Sequence, residues 1–219
     1  MTAASVTKRS KERRPATKRE QRESSIERIQ RAALKLFVSK GYRAATVDDI
    51  AAASGLSKGA VYFYYRSKAA ILFPLLDEVE KLLVDRMNER MEKAGPRAQD
   101  KLVALMHGQS TVAADRAEYY LLFLLMLLEF NGTGEEIEAR MKAIYRRLYR
   151  SIEQVVQRGK AAGEFRSDLQ TREVASIIVA THNGTFIEWY CRSASLSGRE
   201  LVRSAREVVL NGVLRKQDG

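Results

Sequence analysis

The chain has 219 residues, 45% of them hydrophobic, which is ample material for a sizeable core. Its single cysteine, Cys191, excludes a disulfide within the chain and argues against a cysteine-based metal cluster. The basic start is not followed by an apolar run before a cleavage site, and the longest apolar stretch, 119–128, is ten residues against the about 20 that a membrane-spanning helix needs. The expectation is a cytoplasmic, reduced protein with no membrane partner.

The net charge of +11 is unevenly placed. Residues 1–23 carry +5, residues 24–68 carry +5, and the remaining two thirds of the chain carries +1. Solubility does not require that asymmetry, whereas binding to phosphates accounts for it. Residues 1–22 have no apolar periodicity and read as a disordered basic arm. Lys8, Arg9, Lys11, Arg13, Arg14, Lys18 and Arg19 would add nonspecific DNA affinity or simply solvate a tail.

A helix is predicted over 24–40. Ser24-x-x-Glu27 has the form of a capping box, Ile26, Ile29, Ala33, Leu36 and Phe37 recur at helical spacing, and Gly41 stops the run. Residues 46–65 then read as two short helices around a tight turn. Thr46-x-x-Asp49 is a second capping pattern, and Val47, Ile50 and Ala51 share a face. Ser54-Gly55 ends the first short helix, because glycine accepts the left-handed conformation of a C-cap. Ser57 caps the second, whose buried side is supplied by Ala60, Val61 and Tyr64 or Tyr65. A helix-turn-helix presents this second helix to the major groove by its N-terminal end. Lys58 reaches a phosphate or guanine edge, the tyrosine hydroxyls donate to phosphates, and Gly59 permits close backbone approach. Ser67 caps a further helix whose first turn carries Lys68, a second phosphate candidate beside free N–H groups.

These residues resemble the DNA-binding domain of the tetracycline-repressor (TetR) family of bacterial regulators. The match runs from the helix at 24–40 through Gly41-Tyr42 and Thr46-Val47-Asp48-Asp49-Ile50-Ala51 to Gly55-Leu56-Ser57-Lys58-Gly59-Ala60-Val61-Tyr62, then Tyr65, Ser67 and Lys68. Phe63-Tyr64-Tyr65 departs from the pattern as an unusually aromatic run. The candidate DNA contacts are Arg43, Thr46, Val47, Ser57, Lys58, Gly59, Tyr62, Phe63, Tyr64 and Lys68. The expected fold is all-α, with about nine helices. A helix-turn-helix domain over 23–83 follows the arm and precedes a helical ligand-binding and dimerisation domain over 84–219.

The helix from 68 toward 93 contains Pro74, which removes one helical hydrogen bond and tends to kink the axis. The resemblance makes this helix the link between domains, and Pro74 is expected to shape it or merely to fill a packing need. Gly95-Pro96 breaks the chain. Further helices are expected over 97–108 and 115–130, the latter apolar on all sides and hence central and buried. Thr133-x-x-Glu136 is expected to cap a helix running to about 162. Helices over 171–192 and from Ser197-x-x-Glu200 to about 214 complete the chain.

In the resembling family this region holds a ligand pocket, and its last two long helices form a dimer interface. Met106, His107, Phe123, Met126, Met141, Tyr145, His182, Phe186 and Trp189 are the pocket candidates. Walls of methionine and aromatics would take a small apolar or aromatic effector. Helix order puts Ile177, Ala180, Gly184, Ile187, Val202 and Val209 at the interface of a homodimer that reads a palindromic operator. No cofactor or metal is expected. His107 and His182 are the only histidines and stand in no metal-ligand spacing, and no G-x-S-x-G, Walker A or G-x-G-x-x-G occurs, so an enzyme is disfavoured. The reading is a ligand-released repressor. Two alternatives remain at this level: a regulator with no small-molecule ligand, and a nonspecific basic DNA-binding protein.

Overall fold

The computed structural model describes residues 17–214. Eleven helical segments occur among them: α1 (Lys18–Lys40), α2 (Val47–Ser54), α3 (Lys58–Tyr64), α4 (Lys68–Glu80), a π-helical turn (Lys81–Asp85), α5 (Arg86–Lys93), α6 (Ala98–Asp115), α7 (Ala117–Glu129), α8 (Glu136–Ala161), α9 (Thr171–Arg192) and α10 (Gly198–Val213). The segment from α4 through the π turn to α5 is continuous, so nine separate helices stand where about nine were predicted.

The expected basic arm lies outside the described residues up to position 16, and its last part is helical. Thr17 opens α1 in place of Ser24. Its hydroxyl accepts from the Glu20 N–H at 3.2 Å, and the Glu20 carboxylate accepts from the Thr17 N–H at 2.6 Å. Residues 18–23 are good helix formers without a breaker, so nothing halts the helix before that cap. Ile29, Ala33 and Phe37 of α1 are fully buried against Ile50 of α2, Val61 of α3 and Ile71 of α4, which makes the first three helices one head. Gly55 adopts φ 64°, ψ 34°, the left-handed C-cap expected of it. The Arg28 guanidinium donates to the carbonyls of Ser54 at 2.5 and 2.9 Å and of Gly55 at 2.9 Å, clamping the turn from behind.

In the linking helix the π turn follows Pro74 by two turns. There Leu82, Leu83 and Val84 are buried in succession, an arc wider than one helical stripe. Across it, α8 holds α4 by charge. Arg140 donates to Asp77 at 2.8 Å and to Glu80 at 2.5 Å, while Arg147 donates to Glu80 and, at 2.8 Å, to Asp85. Burial would raise the Glu80 carboxyl, but Arg147 and Arg140 outweigh it and hold it below its ordinary value.

Two expectations about the body are corrected. Helix α7 packs against α1, α4, α6 and α8, yet Leu128 is 78% exposed, so α7 is not buried on all sides. Thr133 does not cap α8, whose N-cap is Glu135 without a side-chain bond. Instead the buried Glu138 reaches back from the first turn and accepts from the N–H groups of Gly132 at 2.7 Å and Gly134 at 2.6 Å. With Lys142 at 2.6 Å, these bonds hold its carboxyl at about 2. A long-range cap serves α6, where Glu164 of the α8–α9 loop accepts from the N–H groups of Ala98 and Gln99, both at 3.1 Å.

Candidate DNA-binding surface and effector cleft

Helix α3 begins where Ser57 Oγ accepts from the Ala60 N–H at 3.1 Å. Val61 faces the core, which turns Lys58, Gly59, Tyr62 and Phe63 outward. Phe63 is 80% exposed, a large apolar side chain with little contact beyond Tyr64. An apolar ring held out beside hydroxyls and an ammonium suits the mixed chemistry of a groove, including a thymine methyl. Lys58 forms an ion pair with Asp48 at 2.9 Å. Both partners are largely exposed, so the pair is weak and exchangeable for a phosphate. Thr46 is exposed at the start of α2, with its hydroxyl accepting from the Asp49 N–H at 3.1 Å, while Val47 and Tyr64 are half-buried. Lys40, which pairs with Asp49 at 2.7 Å, and the Thr46 cap hold the Asp49 carboxyl at about 2.

Two predicted phosphate contacts have other partners. The Lys68 ammonium donates to the carbonyls of Tyr42 at 2.6 Å, Ala45 at 2.9 Å and Arg43 at 3.2 Å, and lies 4.4 Å from the Tyr42 ring centroid. Its three protons are all used, and burial lowers its pKa. Arg43 turns toward the body. Its main-chain N–H donates to Glu129 at 3.1 Å, its guanidinium donates to Glu135 at 3.1 Å, and it stands 5.4 Å from the centre of the Phe130 ring. Tyr42 meets the same ring edge-on at 5.4 Å. The loop between α1 and α2 is therefore a joint between head and body. Sequence reading missed it because its partners lie 86 and 92 positions away.

In the body, a cleft of about 640 Å³ opens between α6, α9 and α10. Four of the pocket candidates, His107, His182, Phe186 and Trp189, line it. Met106, Phe123, Met126 and Met141 do not line it and are buried in the core, and the half-buried Tyr145 stacks on Phe123 instead. Gly198 lets the Trp189 ring pack closely at the cleft edge, since a Cβ there would stand 2.9 Å from it and push it aside. Behind the cleft wall, Tyr120 contacts His182 at 5.3 Å and Phe186 at 4.5 Å between ring centroids and donates its hydroxyl to Asn183 at 2.6 Å. His182 Nε2 is buried with no hydrogen-bond partner, and burial lowers the His182 pKa from 6.5 to about 4. Three arginines of α10 that the sequence reading passed over, Arg199, Arg203 and Arg206, also line the cleft. Their spacing of four and three residues, one helical face, was the available signal.

The predicted interface residues divide. Ile177, Ala180, Gly184 and Ile187 are exposed along one face of α9. Val209, at 6% exposure, packs inside its own chain, and Val202 lines the cleft, whereas Val208 is 71% exposed. The outward register of α10 is thus shifted by one residue, because the apolar side needed to close the body claims Val209 and Val213.

A helix-turn-helix head joined by a long helix to an all-helical body with a cleft defines a class of DNA-binding regulators. The family described as "Bacterial regulatory proteins, tetR family" matches residues 29–75, and "Tetracyclin repressor-like, C-terminal domain" matches residues 95–213. The chain belongs to the tetR family and is a DNA-binding transcriptional regulator, not an enzyme. It is 46% identical to the MbdR regulator from Azoarcus sp. CIB, whose structure superposes with a TM-score of 0.78 over 87% of this chain and 100% of that one. It is 25% identical over 186 residues to the fatty acid metabolism regulator protein of Bacillus subtilis (strain 168), covering 84% of this chain and 93% of the relative. The fold is shared with FadR from Bacillus subtilis in complex with stearoyl-CoA, at 23% identity, a TM-score of 0.66, and coverage of 85% and 98%. Among the described residues, no helix is long and apolar enough to cross a membrane.

Lys68→Met strips the charged donor from three carbonyls, so urea denaturation should show a loss of about 1–3 kcal/mol. A phosphate-contact role would instead weaken DNA binding at unchanged stability. For His182, the folded pKa lies below the ordinary value, so between the two the unfolded chain binds a proton that the folded chain does not. Stability should fall as pH drops from 6.5 toward about 4, by up to about 1.4 kcal/mol per pH unit, and this component should be absent from urea midpoints of His182→Leu.

Proposed function

We propose that the protein is a homodimeric repressor that holds a palindromic operator and releases it when a small molecule with an aromatic or apolar part enters the cleft between α6, α9 and α10. The observation that carries this reading is one continuous packed path from cleft to head. His182 and Phe186 on the cleft wall contact Tyr120 near the start of α7. The far end of α7, at Glu129, and the adjoining Phe130 hold Arg43 and Tyr42 of the head. Thirteen helical residues span about 20 Å as a rigid rod. A ligand that displaces the cleft wall would tilt α7 and move the joint that orients the head.

Two heads must match half-sites about 34 Å apart, so a small rotation of each is enough to lose the fit. The apolar stripe of Ile177, Ala180, Gly184 and Ile187 on α9, together with the exposed Val208 of α10, supplies a face for a second copy. Its small residues allow helices of the two chains to approach closely. The outward end of α3, with Ser57, Lys58, Gly59, Tyr62 and Phe63, would read the operator, with Thr46, Val47 and Tyr64 at its margin. Ligand and operator would oppose each other through one shared coupling free energy. A solved relative bound to stearoyl-CoA supports a small-molecule effector for this architecture.

Selection of sites from random DNA at physiological salt should enrich a palindrome, and adding the protein should lower transcription from a promoter carrying it. Recovery of only half-sites, or raised transcription, would reject the dimeric repressor. Ile187→Glu with Val208→Glu should convert the dimer to monomer in sedimentation velocity and cut operator affinity at least tenfold. Arg43→Ala should blunt ligand-driven release several-fold while changing ligand-free operator binding less. Equal loss in both would make Arg43 a DNA contact and remove the joint from the mechanism.

A further inference from the structure

We propose that the effector is an amphipathic anion, with its carboxylate or phosphate held by Arg199, Arg203 and Arg206 and its apolar part lying against Trp189 and Phe186. The inference rests on the cleft being the effector site and goes beyond it to the charge of the ligand. Three guanidinium groups on one face of α10 line the cleft, against a single carboxylate, that of Asp115. Among the described residues, Arg199 and Arg206 have no ion-pair partner, and Arg203 has only the exposed Glu207 at 3.3 Å. Arg206 is half-buried and Arg199 and Arg203 are exposed, so the three present positive charge at the cleft with little to neutralise it. A planar fork of N–H donors is also the geometry that pairs with a carboxylate or phosphate through two parallel bonds.

Phe186 and Trp189 of α9, with Ala113 of α6, bring apolar surface to the facing wall. The cleft thus has a charged rim and an aromatic wall. A neutral apolar molecule would leave the arginines unanswered. Fully polar anions would forgo the aromatic wall.

Trp189 is the only tryptophan of the chain and stands in the cleft wall, so it reports occupancy directly. The test titrates the full chain with 1-anilinonaphthalene-8-sulfonate and with N-phenyl-1-naphthylamine, which share a skeleton and differ by one sulfonate. Energy transfer from Trp189 reads binding for both. The anion should bind at least tenfold tighter, with an advantage that shrinks as salt rises. A variant carrying Arg199→Gln, Arg203→Gln and Arg206→Gln should lose that advantage and keep the affinity for the neutral amine, which also shows that the cleft remains folded. The corresponding triple lysine variant should retain part of it. Displacement of the bound sulfonate by phenylacetate, as against phenylacetyl-CoA, would then tell a carboxylate ligand from one carrying phosphates. Equal affinities for the two dyes, or a triple glutamine variant with undiminished preference for the anion, would overturn the inference and leave the cleft as an effector site. If neither dye receives energy from Trp189, the cleft reading fails and this inference fails with it.

Discussion

The rest of the molecule depends on the ammonium of Lys68. Placed in the first turn of α4, it closes on three carbonyls of the loop between α1 and α2 and lies over the ring of Tyr42. One side chain thereby joins the start of the linking helix to the loop that precedes α2. The same loop offers Tyr42 and Arg43 to the turn after α7. The head is therefore oriented by both α4 and α7, and the two supports meet at Tyr42 and Arg43. A lysine suits this point because three tetrahedrally arranged protons can converge on three carbonyls, which the planar fork of arginine does not do.

The charges of the linking region follow the same logic. Arg140 and Arg147 of α8 grip carboxylates just before the π turn and at its last residue, with Glu80 shared between them. A π turn is a local widening that costs hydrogen-bond geometry, and it persists here where three successive apolar side chains are buried and flanking ion pairs hold the helix to α8. The joint at Arg43 and the ladder on α8 set the head relative to the body at two separate places. In the body, polar groups are satisfied across long sequence separations, as where Glu164 caps α6. Exceptions among the described residues are Gln109 Oε1 and His182 Nε2, which are buried without a partner, and Arg199 and Arg206 at the cleft, which have no ion-pair partner.

Much of the head was legible in the chain because its signals are local. Thr46 with Asp49, Gly55, Ser57 and Ser67 each declare a helix end within four residues, and each is realised in the structure. The same rule misled at Ser24, where an equally good box at Thr17 lay upstream, and at Thr133, where the buried Glu138 took the loop N–H groups. A capping pattern is a local offer that a competing partner can decline. The pocket was half legible: aromatic and methionine residues at helical spacing mark buried faces, but a core face and a cleft face carry the same residue types. Met106 and Phe123 thus became core, while His107 and Trp189 became wall.

The sequence by itself determined the all-helical class, the helix-turn-helix and the concentration of positive charge in the first third. These rest on periodicity, capping and composition, which act over a few residues. Only the tertiary structure decided that Lys68 turns onto the loop carbonyls, that Arg43 leans across the surface to the body, that Val208 and not Val209 faces out, and that three arginines of α10 gather beside an aromatic wall. Those outcomes depend on which helices meet and at what rotation. That is settled by burying the whole apolar surface at once, with partners up to 92 positions apart.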